Sequence, residues 1–223
     1  MSRHNSIALR YDYENAAVTF AKAFKITVEQ AKRSFKMTQS YLRLEQPIST
    51  TNAVITFPVL ANIQGATGQY ITEQRLNQQD SFIPTEFGFY VAKPASNTDG
   101  AFRIYSYLNQ SVFTNAGAMT ALYNGQFKIT VNNDVLVPAW DVWRHWDSDT
   151  TQQTGAFGAG SPGDEFHGSA DGSFPMQPYV AMIGSKNIQI NLTMPAAPTA
   201  VDANARAIII MRGILAQNST VVV

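Results

Sequence analysis

His145, Asp147 and Asp149 fall within five positions of the sequence, and Asp164, Glu165 and His167 within four. Imidazole and carboxylate groups are the usual ligands of zinc and other divalent metals, so two such groups could meet around an ion. Neither spacing matches a metal motif. Asp147-Ser148-Asp149 opens like a calcium loop, but Gly155 comes too late and no acid closes it. The chain has three histidines and no cysteine. That is too few for the grouped histidines of a metal-binding β-barrel, and it excludes disulfides, thiolate metal sites and cysteine nucleophiles. The stretch 155–172 holds no Gly-x-Ser-x-Gly nucleophile turn. Gly158-Ala159-Gly160 lacks the third glycine, preceding strand and following helix of a phosphate loop. These residues read as polar loop positions. The expectation is a protein that is not an enzyme, with no catalytic residue, no bound metal and no cofactor.

Two other groupings could mediate binding. Trp140, Trp143 and Trp146 recur every three residues. In a 3₁₀ or helical turn they share one side, where indoles stack on sugars or bases, plug a core or meet another subunit. Subunit contact is the expectation for all three. The second grouping is basic. Residues 1–44 carry 8 of the 16 Lys and Arg but only 3 of the 16 Asp and Glu, so the neutral total hides a basic arm on a mildly acidic body. Phe20, Phe24, Val28, Ala31 and Phe35 recur at helical spacing, with Lys22, Lys25, Lys32, Arg33 and Lys36 on roughly the opposite face. Such a face attracts phosphate, whether of nucleic acid or of a membrane surface. A solvated face on a packed helix has the same pattern.

The elements that must carry these residues divide at Pro47. Before it the periodicity predicts a helical arm, residues 1–47, either as one helix over about 14–41 or as two in tandem. Thr27-Val28-Glu29-Gln30 fits a capping box that restarts the helix, and Gln46-Pro47 ends it. After it, residues 48–223 read as one antiparallel β domain. Val54, Ile55, Phe57 and Val59 mark one strand, and Phe82–Ala92 and Phe102–Leu108 two more. Phe127, Ile129 and Val131 alternate with polar residues, as do Ile188, Ile190, Leu192 and Met194. Ala205–Ala216 is apolar on both faces and should be a doubly covered central strand, with Gly213 at a bulge or close approach. Turn chemistry stands at Asn124-Gly125 and Asn132-Asn133. Residues 147–177 form a long polar stretch without periodicity, expected to be a functional or interface loop. Val221, Val222 and Val223 form an apolar end suited to a neighbouring subunit. The fold class is therefore mainly β, an antiparallel β-sandwich or jelly roll with an N-terminal amphipathic helical arm.

Charged residues make up only 14% of the chain, a surface with little self-repulsion that suits contact between copies. Met1–Ala16 lacks the apolar stretch of a secretory leader, and the longest apolar run, Ala207–Met211, is strand-sized. The product is expected to be soluble and made in the cytoplasm of its host. The segments Tyr123–Pro138 and Arg206–Gly213, together with the basic arm, the strand count and the long polar loop, resemble jelly-roll coat proteins of bacteriophages. That resemblance implies a capsid subunit of a virion that self-assembles into a shell with its arm facing the interior. Its implied partners are copies of itself (a trimer or capsomer), other virion proteins, and packaged nucleic acid or an internal membrane. A β-sandwich binding module recognising glycan or protein, such as a receptor-binding or appendage protein, is the alternative. A hydrolase or metal enzyme stands third.

Overall fold

The computed structural model describes the backbone of residues 3–61, 70–132, 134–146 and 172–222. Two helices come first, α1 (Arg3–Phe24) and α2 (Val28–Ser34). Ten strands follow: β1 (Lys36–Pro47), β2 (Val54–Pro58), β3 (Ser81–Ala92), β4 (Ile104–Tyr105), β5 (Gln126–Val131), β6 (Asp134–Asp141), β7 (Ser173–Pro175), β8 (Met182–Ile183), β9 (Ile188–Thr193) and β10 (Arg206–Gln217). Turns of 3₁₀ helix lie at Ala116–Leu122 and Trp143–His145, and a last helical turn, α3, spans Ser219–Val222.

The strands form two antiparallel sheets. One runs β1-β10-β3, and the far edge of β3 is lined in succession by β8, β7 and β4. The other runs β2-β9-β5-β6. Alternation decides which faces meet. Leu42, Leu44, Phe87, Phe89, Val91, Ile209 and Met211 of the first sheet pack on Ile55, Phe57, Phe127, Ile129, Ile190 and Leu192 of the second. Rings fill the centre: Phe127 lies 5.1 Å from Phe87, 5.3 Å from Phe89 and 6.3 Å from Phe57, all edge to face. The chain is thus mainly β and sandwich-like, as its strand periodicity implies.

Two expectations about the arm divide. The tandem alternative is the observed one: α1 stops at Phe24, and α2 starts from a complete Thr27–Gln30 capping box. Helix does not continue to Pro47, however. It ends at Ser34, and 36–47 form a twelve-residue strand paired with β10 from Lys36↔Gln217 to Pro47↔Arg206. Leu42 and Leu44 face the core while Tyr41, Arg43 and Glu45 face away, a period of two that the helical stripe ending at Phe35 obscures. The segment 102–108 gives only the two-residue β4, and Ser173–Pro175 supplies a strand within the stretch expected to be loop.

β10 is buried on both faces. Its inner face meets the second sheet; Ile214 and Ala216, with Ile83 of β3, turn outward against Ala16, Phe20, Ala31 and Phe35 of the helices. The pairing of β10 with β3 shifts register between Arg212 and Gly213, with Thr85 of β3 as the extra residue, and Gly213 makes the close approach expected of it. A Cβ at Gly213 would lie 2.0 Å from the Ile83 carbonyl oxygen, in the backbone of the neighbouring strand. Gly213→Ala must therefore push two central strands apart, and we expect it to cost about 3 kcal/mol or more. Urea unfolding checks this; a change below about 1 kcal/mol would mean that the bulge relaxes freely.

Candidate interaction surfaces

The basic residues sit on a helical hairpin built by local rules. Lys25 takes a left-handed conformation (φ 56°), Ile26 N–H donates to the Ala21 carbonyl at 3.0 Å, and Lys25 N–H donates to Lys22 at 3.4 Å. This is a Schellman ending of α1 with lysine where glycine is usual. Gln30 N–H then donates to Thr27 Oγ1 at 3.2 Å, and Thr27 N–H to Gln30 Oε1 at 2.9 Å, starting α2. The Phe35 ring closes the hairpin on Phe20 at 6.1 Å and Phe24 at 5.1 Å. Lys22, Lys25, Arg33 and Lys36 are exposed. Lys32 is not equivalent to them. It is half-buried and bonded to Glu14 of α1, which raises its pKa above the ordinary lysine value. The Tyr179 hydroxyl, pushed up to about 12 chiefly by burial, donates to Asp12 at 2.9 Å and ties α1 to the body.

The three tryptophans divide. Trp140, at the end of β6, and Trp146 pack against this chain's own core, Trp146 lying 4.7 Å from the Tyr123 ring. Trp143 is 53% exposed and stacked on Trp146 at 5.3 Å, so it alone of the three presents most of its ring outward. Arg144 lies over Trp140 at 4.5 Å.

Between them His145 is fully buried. Trp140 Nε1–H donates to its Nε2 at 2.8 Å, so the proton sits on Nδ1 and is given to the Gly172 carbonyl at 2.6 Å. His145 is therefore a hydrogen-bonded core residue. Among the described residues no group of three or more His, Cys, Asp or Glu could hold a metal, while Asp147, Asp149, Asp164, Glu165 and His167 lie outside them.

A second buried cluster has no counterpart in the sequence reading. Glu45 of β1 and Arg206 of β10 are both buried and meet at 3.0 Å. Glu45 also accepts from Arg43 Nε at 2.8 Å and from the Thr72 hydroxyl. Glu73 accepts the Glu45 N–H at 2.9 Å and pairs with Arg75 at 2.9 Å, and the Arg206 guanidinium lies over the Tyr70 ring at 3.7 Å. The network holds residues 70–75 across the outer face of the first sheet. Between them and α1 lies a groove of about 880 Å³, floored by Tyr41, Ile210 and Arg212. The available signal was a charge embedded in an apolar strand: Glu45 next to Leu44, and Arg206 opening the run to Met211.

Val221 of α3 is 68% exposed; the Val222 side chain and Val223 lie outside the described residues. Comparison with protein-family models, with curated proteins and with solved structures gives no match.

Two outcomes follow from the buried polar groups. Burial lowers the His145 pKa from 6.5 to about 4, so the folded state binds fewer protons between those values. The stability contributed by neutral His145 is complete above pH 6.5 and drains away as pH falls toward 4, by about 2–3 kcal/mol at pH 4.5. His145→Gln should be less stable than the parent at pH 7 but should lose correspondingly less between pH 7 and 4.5 in urea melts. Equal losses in both proteins would show that His145 is not the titrating group. Glu45→Gln strands the Arg206 charge and should cost about 3–5 kcal/mol, whereas Glu86→Gln, at the half-exposed pair with Arg212, should cost at most about 1 kcal/mol. The same melts compare the two.

Proposed function

We propose that the sandwich is a jelly roll and that the chain is a structural subunit, not an enzyme. It assembles with copies of itself into a virion shell of the bacteriophage type, its basic hairpin turned toward the interior. The strand order is the observation that carries this reading. Set aside the two-residue β4, and count β7 and β8, which follow one another along β3, as one interrupted strand. Eight strands remain, and numbered along the chain they lie in the orders 1-8-3-6 and 2-7-4-5. That is the order produced when one long hairpin, pairing 1 with 8, 2 with 7, 3 with 6 and 4 with 5, rolls into two sheets.

Jelly rolls serve as shell subunits, lectins and metal-binding enzymes, so the fold alone does not choose among them. Two observations favour the shell. The space between the sheets is packed with aromatic side chains. Large apolar groups also stand exposed at the periphery, on β2 (Val54), at the start of the edge strand β6 (Val135, Leu136), at Trp143 and at Val221. The groove beside Tyr41 favours a second reading, a binding module that takes a glycan or peptide on the outer face of the first sheet.

Light scattering and electron microscopy of the purified full-length chain separate the two. The shell reading expects closed particles or capsomer-sized oligomers; a monodisperse monomer at high concentration would refute it. Ser219 is buried against Ser81, and Thr220 N–H donates to the Gln79 carbonyl at 3.1 Å, so the fold uses both. Removing only 221–223 should therefore weaken assembly and leave the melting temperature within a few degrees of the parent. Unchanged assembly would take the apolar end out of the interface.

A further inference from the structure

The basic hairpin has lost one of the two partners its sequence allows. A helix that binds a membrane surface needs an apolar face to sink among acyl chains and a basic face for the headgroups. Here that apolar face is occupied. Phe20 and Ala31 are fully buried and Phe35 is 4% exposed, all packed on Ile83, Ile214 and Ala216 of the sheet. Phe24 and Val28 are partly covered by the same cluster. On the outward side of α1, Tyr11 and Val18 are exposed, but Glu14 stands between them. No helix among the described residues is long and apolar enough to cross a membrane.

What remains outward is charge, and the hairpin gathers it. Lys22 and Lys25 flank Phe24; Arg33 and Lys36 flank Phe35. The 5.1 Å contact between those two rings holds α2 against α1, so both basic pairs sit on one folded hairpin. Glu29 is the single exposed carboxylate on α2, and Glu14 is already engaged by Lys32. We infer that Lys22, Lys25, Arg33 and Lys36 form a docking surface for the phosphate backbone of nucleic acid. The surface binds by charge, without base recognition and without insertion of the phenylalanines.

This deepens the shell reading and rests on it only for where the nucleic acid is met. The physics makes it testable. Four phosphate contacts on a single strand release counterions so that binding weakens about 50-fold between 50 and 200 mM salt. Binding of the full chain to a fluorescent 30-nucleotide single-stranded DNA, followed by anisotropy across that range, should show this fall. The variant K22Q/K25Q/R33Q/K36Q should lose most of the affinity at 50 mM and nearly all the salt slope, with an unchanged melting curve. Lys128→Gln, a charge removed from the exposed face of β5, should bind like the parent. Equal binding by parent and quadruple variant, or no binding by the parent at 50 mM, would overturn the inference. So would flotation with phosphatidylserine vesicles that survives 1 M salt, since that requires the phenylalanines to leave the sheet. Particle size, measured on the same preparations, reports on the shell reading separately: particles that ignore DNA sink only this inference, and a DNA-binding monomer sinks only the shell.

Discussion

β10 must be covered twice. Ala207, Ile209 and Met211 point into the sandwich, and Ile208, Ile214 and Ala216 point out of it; all are buried. An isolated sandwich would leave the outer set in water. The chain meets this constraint with two different coverings. At one end the α1–α2 hairpin lays its phenylalanine stripe over Ile214 and Ala216. At the other, Tyr90, Ala92 and Ile208 pack with Phe102 and Ile104 beside the strap held by Glu45 and Arg206. The first sheet therefore carries a third layer, and the groove is the gap between its two halves. The helices that look like an arm in sequence are part of the wall.

That double covering explains which features were legible. The apolar run from Ala207 to Met211 announced a strand buried on both faces, and Gly213 announced its close approach to β3, because both are local statements about side-chain volume and backbone approach. The capping box at Thr27 was legible for the same reason. The strand 36–47 was not. Its outward residues Tyr41, Arg43 and Glu45 are polar or charged, Tyr41 exposed and Glu45 buried in an ion pair, so only Leu42 and Leu44 mark the strand as apolar positions. Nor could sequence show that Lys32 is engaged by Glu14 or that the Phe24 and Phe35 rings meet. Those are facts of tertiary contact.

The aromatic corner makes a related point about chemistry. His145 beside nearby carboxylates invites a metal reading, and the tryptophans invite a ligand reading. The geometry uses the imidazole as a joint: one nitrogen accepts from Trp140 and the other donates to Gly172, with Phe87 and Phe174 packed around the ring at 5.7 and 5.4 Å. A polar group buried this way specifies one arrangement of its neighbours, since any other leaves a nitrogen unpaired. The Glu45 network specifies the β1 edge in the same manner. Arg43 and Gln74 exchange both backbone hydrogen bonds there, closing part of an edge that another strand could otherwise join.

The pairing of Lys36 with Gln217 also sets an order in time. β1 is synthesised before β10 and finds its partner strand only after Arg206–Gln217 has been made. Contacts so distant along the chain close slowly, because the loop entropy is lost before the ladder compensates for it. Until then the phenylalanine stripe of the hairpin has no Ile214 or Ala216 beneath it. A half-made chain thus lacks the surface on which its basic hairpin is mounted. Translation completes the sheet before the hairpin can take up its final position, and a nascent chain cannot present the basic residues in their finished arrangement while that sheet is still open.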